Sequence, residues 1–281
     1  MKIGIIGLGL IGGSLAKAIK HNTKHTVLAK DIAETVVAKA KQVQAIDDEL
    51  QFEQMQECDL IIIALYPNAT ISFLRENAKL LRGTTVIDCC GVKRVVQDVA
   101  LPIAKENDFV FIGGHPMAGT ECSGFAASTV NLFANASMIL TPDAIVDVKL
   151  LSEVESFFLS LGFGRIQIST PDAHDRIISY TSQLAHVLSS AYVKSEAAML
   201  HSGFSAGSFL DMTRVALLNE DMWTELFLAN SDNLANEAQA LAERLLQYAQ
   251  AIRSHDAQTL KTLLTEGRER KAFLMTRDGQ A

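Results

Sequence analysis

The stretch KIGIIGLGLIGG, residues 2–13, limits the fold more than any other part of the chain. A short β-branched run stops at Gly7, and Gly7, Gly9 and Gly12 form G-x-G-x-x-G ahead of IGGSLAKAIKHN, which has helical composition. Strand, glycine turn and helix open a dinucleotide-binding unit: the first glycine permits a tight turn, the second lets backbone approach a pyrophosphate, and the third lets helix pack on strand. The helix N-terminus adds free N–H groups and a partial positive charge for the anion. Asp31 follows Gly7 by 24 positions, at the end of the next strand-like run. The motif expects an acid at about 20 positions, where its carboxylate accepts from a ribose 2′-OH and repels a 2′-phosphate. This favours NAD over NADP, although Lys30 beside the acid weakens the preference. The candidate cofactor residues are Gly7, Leu8, Gly9, Leu10, Ile11, Gly12 and Asp31, with Leu65 and Pro67 at the end of the apolar run DLIIIALYP.

Further strands are expected at HTVLAKD (25–31), DLIIIALYP (59–67), TTVIDCC (84–90), FVFIGG (109–114), ASMILTP (136–142) and GRIQIST (164–170), mostly separated by segments of helical length. That alternation predicts a parallel sheet covered by helices on both faces. After Pro171 the β-branched runs vanish, and Ala, Leu, Ser and Glu dominate. The expected architecture is α/β: a Rossmann-type doubly wound domain over 1–169, then an all-helical domain over 170–281. LAHVLSSAYVKSEAAML (184–200) carries few charges over many turns. A helix apolar nearly all round must be covered by its own domain or by a second subunit, so a homodimer through the helical half is expected.

Lys and Arg number 25 against 32 Asp and Glu, a net charge of -7. The chain therefore lacks the basic footprint of a nucleic-acid binder. No apolar run approaches the roughly 18 to 20 residues that span a bilayer, and glycines break the N-terminal run where a signal peptide would continue. The cysteines Cys58, Cys89, Cys90 and Cys122 show no CxxC spacing. A reducing, cytoplasmic setting without a metal is expected.

The remaining feature is GGHPMAGTECSG, residues 113–124. In a doubly wound sheet ligands sit outside the carboxyl ends of the strands, and FVFIGG ends directly at His115. Pro116 restrains His115 to extended geometry, and Gly113 and Gly114 are expected to leave space for a substrate or nicotinamide ring. A neutral imidazole there can take a proton from a hydroxyl undergoing oxidation.

Together with IGIIGLGLIGGSLA, TPDAHDRIISYTSQLAH (170–186) and FLDMTRVALLNEDMW (209–223), this loop resembles the prephenate and arogenate dehydrogenase family. The family oxidises and decarboxylates a cyclohexadienol with NAD, and the resemblance covers essentially the whole chain. It implies that His115 is the catalytic histidine and that Arg214 holds a substrate carboxylate. It also implies that Thr120, Glu121 and His186 line the substrate pocket, while Trp223 is a family aromatic or a core residue. Asp211 is expected to pair with Arg214 at i,i+3 and hold the guanidinium ready. At 100° per residue Asp175, Ser179, Ser182 and His186 share a stripe about 60° wide, and His174 points elsewhere. Three positions depart from the family pattern: Gly91 where many members carry serine, Gln183 in place of a histidine, and Leu210 in place of a basic residue. These losses are expected to reduce charge and hydrogen bonding around the substrate.

Overall fold

The computed structural model describes residues 1–120 and 122–277. Its chain order begins β1 (Lys2–Ile6), α1 (Leu10–Asn22), β2 (Thr26–Lys30), α2 (Glu34–Gln42), β3 (Asp48–Glu49), β4 (Leu60–Ile63), α3 (Pro67–Asn77), β5 (Thr85–Asp88) and α4 (Arg94–Glu106). It continues with β6 (Val110–Pro116), β7 (Ser137–Pro142), α5 (Val148–Ser160) and β8 (Arg165–Ile168). The eight strands form one sheet in the order β3-β2-β1-β4-β5-β6-β7-β8. Alternate residues of the apolar runs feed opposite faces. Leu60 and Ile62 join a core with Leu15 and Ile19 of α1 and Phe157 and Phe158 of α5. Ile61 and Ile63 join a second core with Leu74 of α3 and Val96 and Ala100 of α4. Strands buried on both faces read as continuous apolar runs because both side-chain sets are inside.

The expected α/β sheet is present, with two differences. A two-residue edge strand, β3, pairs with β2; it is too short to leave a period. The other concerns β6 and β7, which run antiparallel in a sheet otherwise parallel. A parallel return needs a crossover, usually a helix, and among the described residues of 117–136 the helical structure is limited to the short 3-10 turn Phe125–Ala127. One result is that β6 does not stop ahead of His115: the strand runs through Pro116, and His115 pairs with Ile139.

Among the described residues only helices and turns follow β8: α6 (Pro171–Ile178), a π turn (Ser179–Gln183), α7 (Leu184–Tyr192), α8 (Gly207–Thr213), α9 (Glu220–Leu228), α10 (Ser231–Arg253) and α11 (Ala257–Arg277). By packing, the chain forms two compact units, Met1–Ser231 and Asp232–Ala281, a division well past the compositional change near 170. In the second unit α10 and α11 form a hairpin, with the Tyr248 hydroxyl donating to the Leu263 carbonyl at 3.1 Å. Leu245, Leu246, Ile252, Leu264 and Phe273 of this hairpin are exposed. No described helix is long and apolar enough to cross a membrane.

Candidate active site

The strand order reverses at β1 and β4, and the glycine turn lies at that switch point. Gly7 has φ +90°, and a Cβ there would meet the Ala64 carbonyl oxygen at 2.6 Å and Leu65 at 2.8 Å. A Cβ on Gly12 would collide with the Gly7 carbonyl oxygen, whereas one on Gly9 meets nothing within 4 Å. The turn is thus closed by its first and third glycines and open at the second. No side chain caps α1. Its start, with Leu10 and Ile11, presents backbone N–H groups to that opening.

Asp31 is tied to the turn. Its Oδ2 accepts from Leu8 N at 2.7 Å and its Oδ1 from Ala33 N at 2.9 Å. Each carboxylate oxygen keeps a lone pair for a further donor, but the Leu8 N–H is committed and its side chain is buried in the core. Lys30 is turned to Glu49, at 3.2 Å, and to the Phe52 ring. Pro67 opens α3, whose Asn68 N–H donates to Glu225 Oε1 of α9 at 2.6 Å.

His115 anchors the second half of the site. Its Nδ1 lies 2.9 Å from His174 Nε2, and His174 Nδ1 lies 2.7 Å from Asp175 Oδ1. His174 therefore does not point elsewhere: α6 begins at Pro171, which turns His174 and Asp175 inward together, both buried. Burial would raise the Asp175 carboxyl, yet bonds from His174 and from the N–H groups of Arg94 and Lys93 hold it below the usual range. A carboxylate only accepts, so His174 Nδ1 donates to it. Burial lowers His174 against the pull of that bond and keeps it neutral. Its Nε2 is then an acceptor, His115 Nδ1 is the donor, and the lone pair of His115 rests on Nε2. Burial, then His174 and then the Lys93 charge push His115 well below the usual histidine value. The result is a neutral imidazole with its basic nitrogen fixed.

Gly113 and Gly114 do not make space for a ligand. A Cβ on Gly113 would strike Thr141 and Gln97, and one on Gly114 would lie 2.5 Å from the Asp88 carbonyl oxygen. They are glycines because neighbouring protein fills the room. The opening beside the base comes instead from Gly91, where a Cβ would sit 3.8 Å from His115 Nε2 and 3.5 Å from Leu226.

α9 carries the site outward. Leu226 borders Gly91, and Trp223, one turn earlier, stacks on His186 with centroids 3.8 Å apart. His186 Nδ1 donates to the Ser182 carbonyl at 2.9 Å. Burial, and to a smaller degree the Arg214 charge, lower its pKa. His186, Trp223 and Arg214 thus form one neighbourhood. Asp211 is exposed on α8. α8 ends at Thr213, and Arg214 caps it in helical backbone geometry. Thr120 is exposed, and its hydroxyl exchanges hydrogen bonds with the Cys122 backbone. Glu121 lies outside the described residues.

The expected polar stripe is interrupted. The π turn adds a residue to the helix, so the inward position passes from Ser182 to Gln183, which is buried. Gln183 does not reach a substrate: its amide donates to the Leu226 carbonyl at 3.0 Å and accepts from Asn230 Nδ2 at 2.8 Å. Asn230 also donates to the Asp175 carbonyl at 2.8 Å. Leu210 is exposed on α8.

With this geometry in place, comparison with known proteins is decisive. A family model for the prephenate dehydrogenase nucleotide-binding domain matches residues 15–167, and one for the prephenate dehydrogenase dimerization domain matches 170–266. The chain belongs to the prephenate dehydrogenase family. The family is one of dehydrogenases, so the protein is an oxidoreductase of the prephenate or arogenate type. The glycine turn lies just ahead of the matched residues. A prephenate dehydrogenase of Lactococcus lactis subsp. cremoris is 31% identical, over 95% of this chain and 76% of its own length. Among solved structures, the arogenate dehydrogenase of Synechocystis is 27% identical with a TM-score of 0.82, covering 97% of this chain and 100% of that one. The prephenate dehydrogenase of A. aeolicus, solved with hydroxyphenyl propionate and NAD+, is 27% identical with a TM-score of 0.81, covering 98% of both chains.

Proposed function

We propose that this family member catalyses NAD-dependent oxidative decarboxylation of prephenate to 4-hydroxyphenylpyruvate on the route to tyrosine. The observation that carries the reading is the His115–His174–Asp175 chain, which leaves a lone pair on His115 Nε2 at the edge of the sheet that bears the nucleotide turn.

The residues fit a dinucleotide. The turn is open at Gly9 for a pyrophosphate, and Asp31 keeps lone pairs for a ribose hydroxyl with Lys30 committed elsewhere, which supports NAD over NADP. Gly7 to Gly12, Asp31, Leu65 and Pro67 would hold it, and when bound it supplies the hydride acceptor. His115 Nε2 takes the proton of the ring hydroxyl while hydride leaves the carbon that bears it. The ring carboxylate departs as CO2, and its bonding pair completes the aromatic ring. The proton returns from His115 to the phenolate oxygen. As the imidazolium forms, its Nδ1–H stays donated to His174, and the Asp175 charge stabilises it through that ring. Arg214 pairs with a carboxylate of the dianionic substrate, and a guanidinium suits it because two parallel hydrogen bonds are available. His186 and Thr120 line the pocket.

Arogenate, with an ammonium in place of the keto group, is the second reading, supported by the likeness to the Synechocystis enzyme. Comparing kcat/KM for the two substrates, followed by NADH formation, tests both. Absence of turnover with either refutes the assignment. We further propose a homodimer formed through the helical half; the exposed apolar side chains of α10 and α11 support it, and light scattering on the purified protein tests it.

A further inference from the structure

Asp88 and Lys93 are charged and have no solvent exposure at all. Neither belongs to the substrate or nucleotide residues. Lys93 Nζ is paired with the Asp88 carboxylate and also donates to the Gly114 carbonyl at 2.5 Å. Asp88 Oδ1 accepts from Gly114 N at 3.1 Å, and Oδ2 from Cys90 N at 2.9 Å. The β5–β6 ladder ends at the pair Ile87 and Ile112. Past that point both polar backbone groups of Gly114 are held by this ion pair in place of a neighbouring strand. The carbonyl it holds belongs to the peptide that leads into His115.

Lys93 also acts at the other end of the histidine chain. Its backbone N–H donates to Asp175 Oδ1 at 2.8 Å, the oxygen that His174 uses. One residue thus fixes the strand that carries the base through its side chain, and the carboxylate that orients the base through its main chain. Burying an ion pair costs several kcal/mol per charge in desolvation, and apolar packing would close a sheet edge more cheaply. The pair is expensive unless its charge or its bonds serve the site.

We propose that Lys93, with Asp88, is a positioning residue for the base: it locks the backbone at Gly114–His115 and keeps the resting imidazole of His115 unprotonated. The proposal rests on the reading of His115 as the proton acceptor. Among the described residues, the charged and titratable groups around that ring are Lys93 and Arg94 at the start of α4, Asp88 on β5, and His174 and Asp175 on α6. The thiols of Cys89 and Cys90 are pushed far up by burial and stay neutral. After burial and His174, the ammonium of Lys93 acts against a positive charge on His115.

The test uses Lys93→Met and the double variant Asp88→Asn/Lys93→Met, which removes both charges and strands neither. Either is expected to lower kcat about 10-fold or more with KM within about threefold, and to move the acid limb of kcat/KM to higher pH. The second readout needs no turnover. In the cofactor-free protein carrying 15N-labelled histidine, the His115 ring is expected to titrate at higher pH in the variants than in the unaltered protein. A variant that melts normally with unchanged kcat, acid limb and ring titration overturns the proposal. So does unaltered protein whose resting His115 carries the proton on Nε2, a result obtainable even if neither variant folds. Lack of turnover by unaltered protein with both substrates would sink the functional reading and leave the ring titration to judge the role of Lys93.

Discussion

Replacing His174 with phenylalanine keeps a planar ring in the buried slot of α6 and removes both nitrogens. His115 Nδ1, now 2.9 Å from an acceptor, would face carbon. Two effects follow. The tautomer with the proton on Nε2 is no longer disfavoured, so part of the resting enzyme presents a donor where the substrate hydroxyl needs an acceptor. The imidazolium formed during turnover also loses its bond to a polarised acceptor. A hydrogen bond to a charged group is worth about 1.5–3 kcal/mol, and at about 1.4 kcal/mol per tenfold this predicts a fall in kcat of about 10- to 150-fold. KM should change less than about threefold, because Arg214 and His186 are untouched. Asp175 loses one partner but retains its bonds from Lys93 N, at 2.8 Å, and Arg94 N, at 3.0 Å, so folding should survive. Steady-state rates with saturating NAD measure both quantities. A phenylalanine variant with normal kcat would refute the relay. His174→Gln, which can still accept from Nδ1, should fall between.

Gly9→Ala should leave the melting temperature unchanged, since the new methyl meets no protein atom within 4 Å, while weakening NAD in a fluorescence titration about 10-fold or more; equal affinity would remove the pyrophosphate from that position. Gly12→Ala should do the opposite first, destabilising the fold by about 1–3 kcal/mol in urea because the methyl collides with the Gly7 carbonyl. Arg214→Gln should chiefly raise KM, by about 10- to 100-fold, and a pure kcat defect would place the guanidinium away from the ground-state substrate. His115, His174 and His186 are all held below the usual histidine value of 6.5, so the unfolded chain binds more protons in mild acid. Stability should therefore be fully present above about pH 6.5 and decline as pH falls below it; a flat melting temperature from pH 7.5 to 5.5 would contradict those burials.

The sheet was legible because doubly buried strands concentrate apolar residues: LIII of β4 has no other plausible fate than an inner strand. β7 was legible as a strand but not in direction, since pairing sense depends on the connection and not on the strand's own residues. His115 stood out as a candidate through its setting between glycines and proline. Its supports were hidden for different reasons. His174 and Asp175 are adjacent in sequence and turn inward together only because α6 starts at Pro171, and a uniform helical phase sends His174 away. Asp88 and Lys93, in IDCCGVK, look like the polar fringe of a strand end. The one signal they gave was two opposite charges five positions apart amid apolar and small residues. Gly113 and Gly114 were read as open space, when glycine in a central strand more often marks where other backbone comes close.

The π turn at Ser179–Gln183 has an evolutionary consequence. It is a single-residue change of phase in one continuous helix, the kind of alteration that one in-frame codon insertion produces and one deletion reverses. Upstream of it the helix delivers His174 and Asp175 to the base; downstream it delivers His186 to Trp223. The two deliveries are therefore separable by the smallest available edit to the gene. In the proposed reading, the half that meets the substrate can be re-aimed without disturbing the half that serves the proton, so a change of substrate preference in such a scaffold need not begin with any change in catalytic residues.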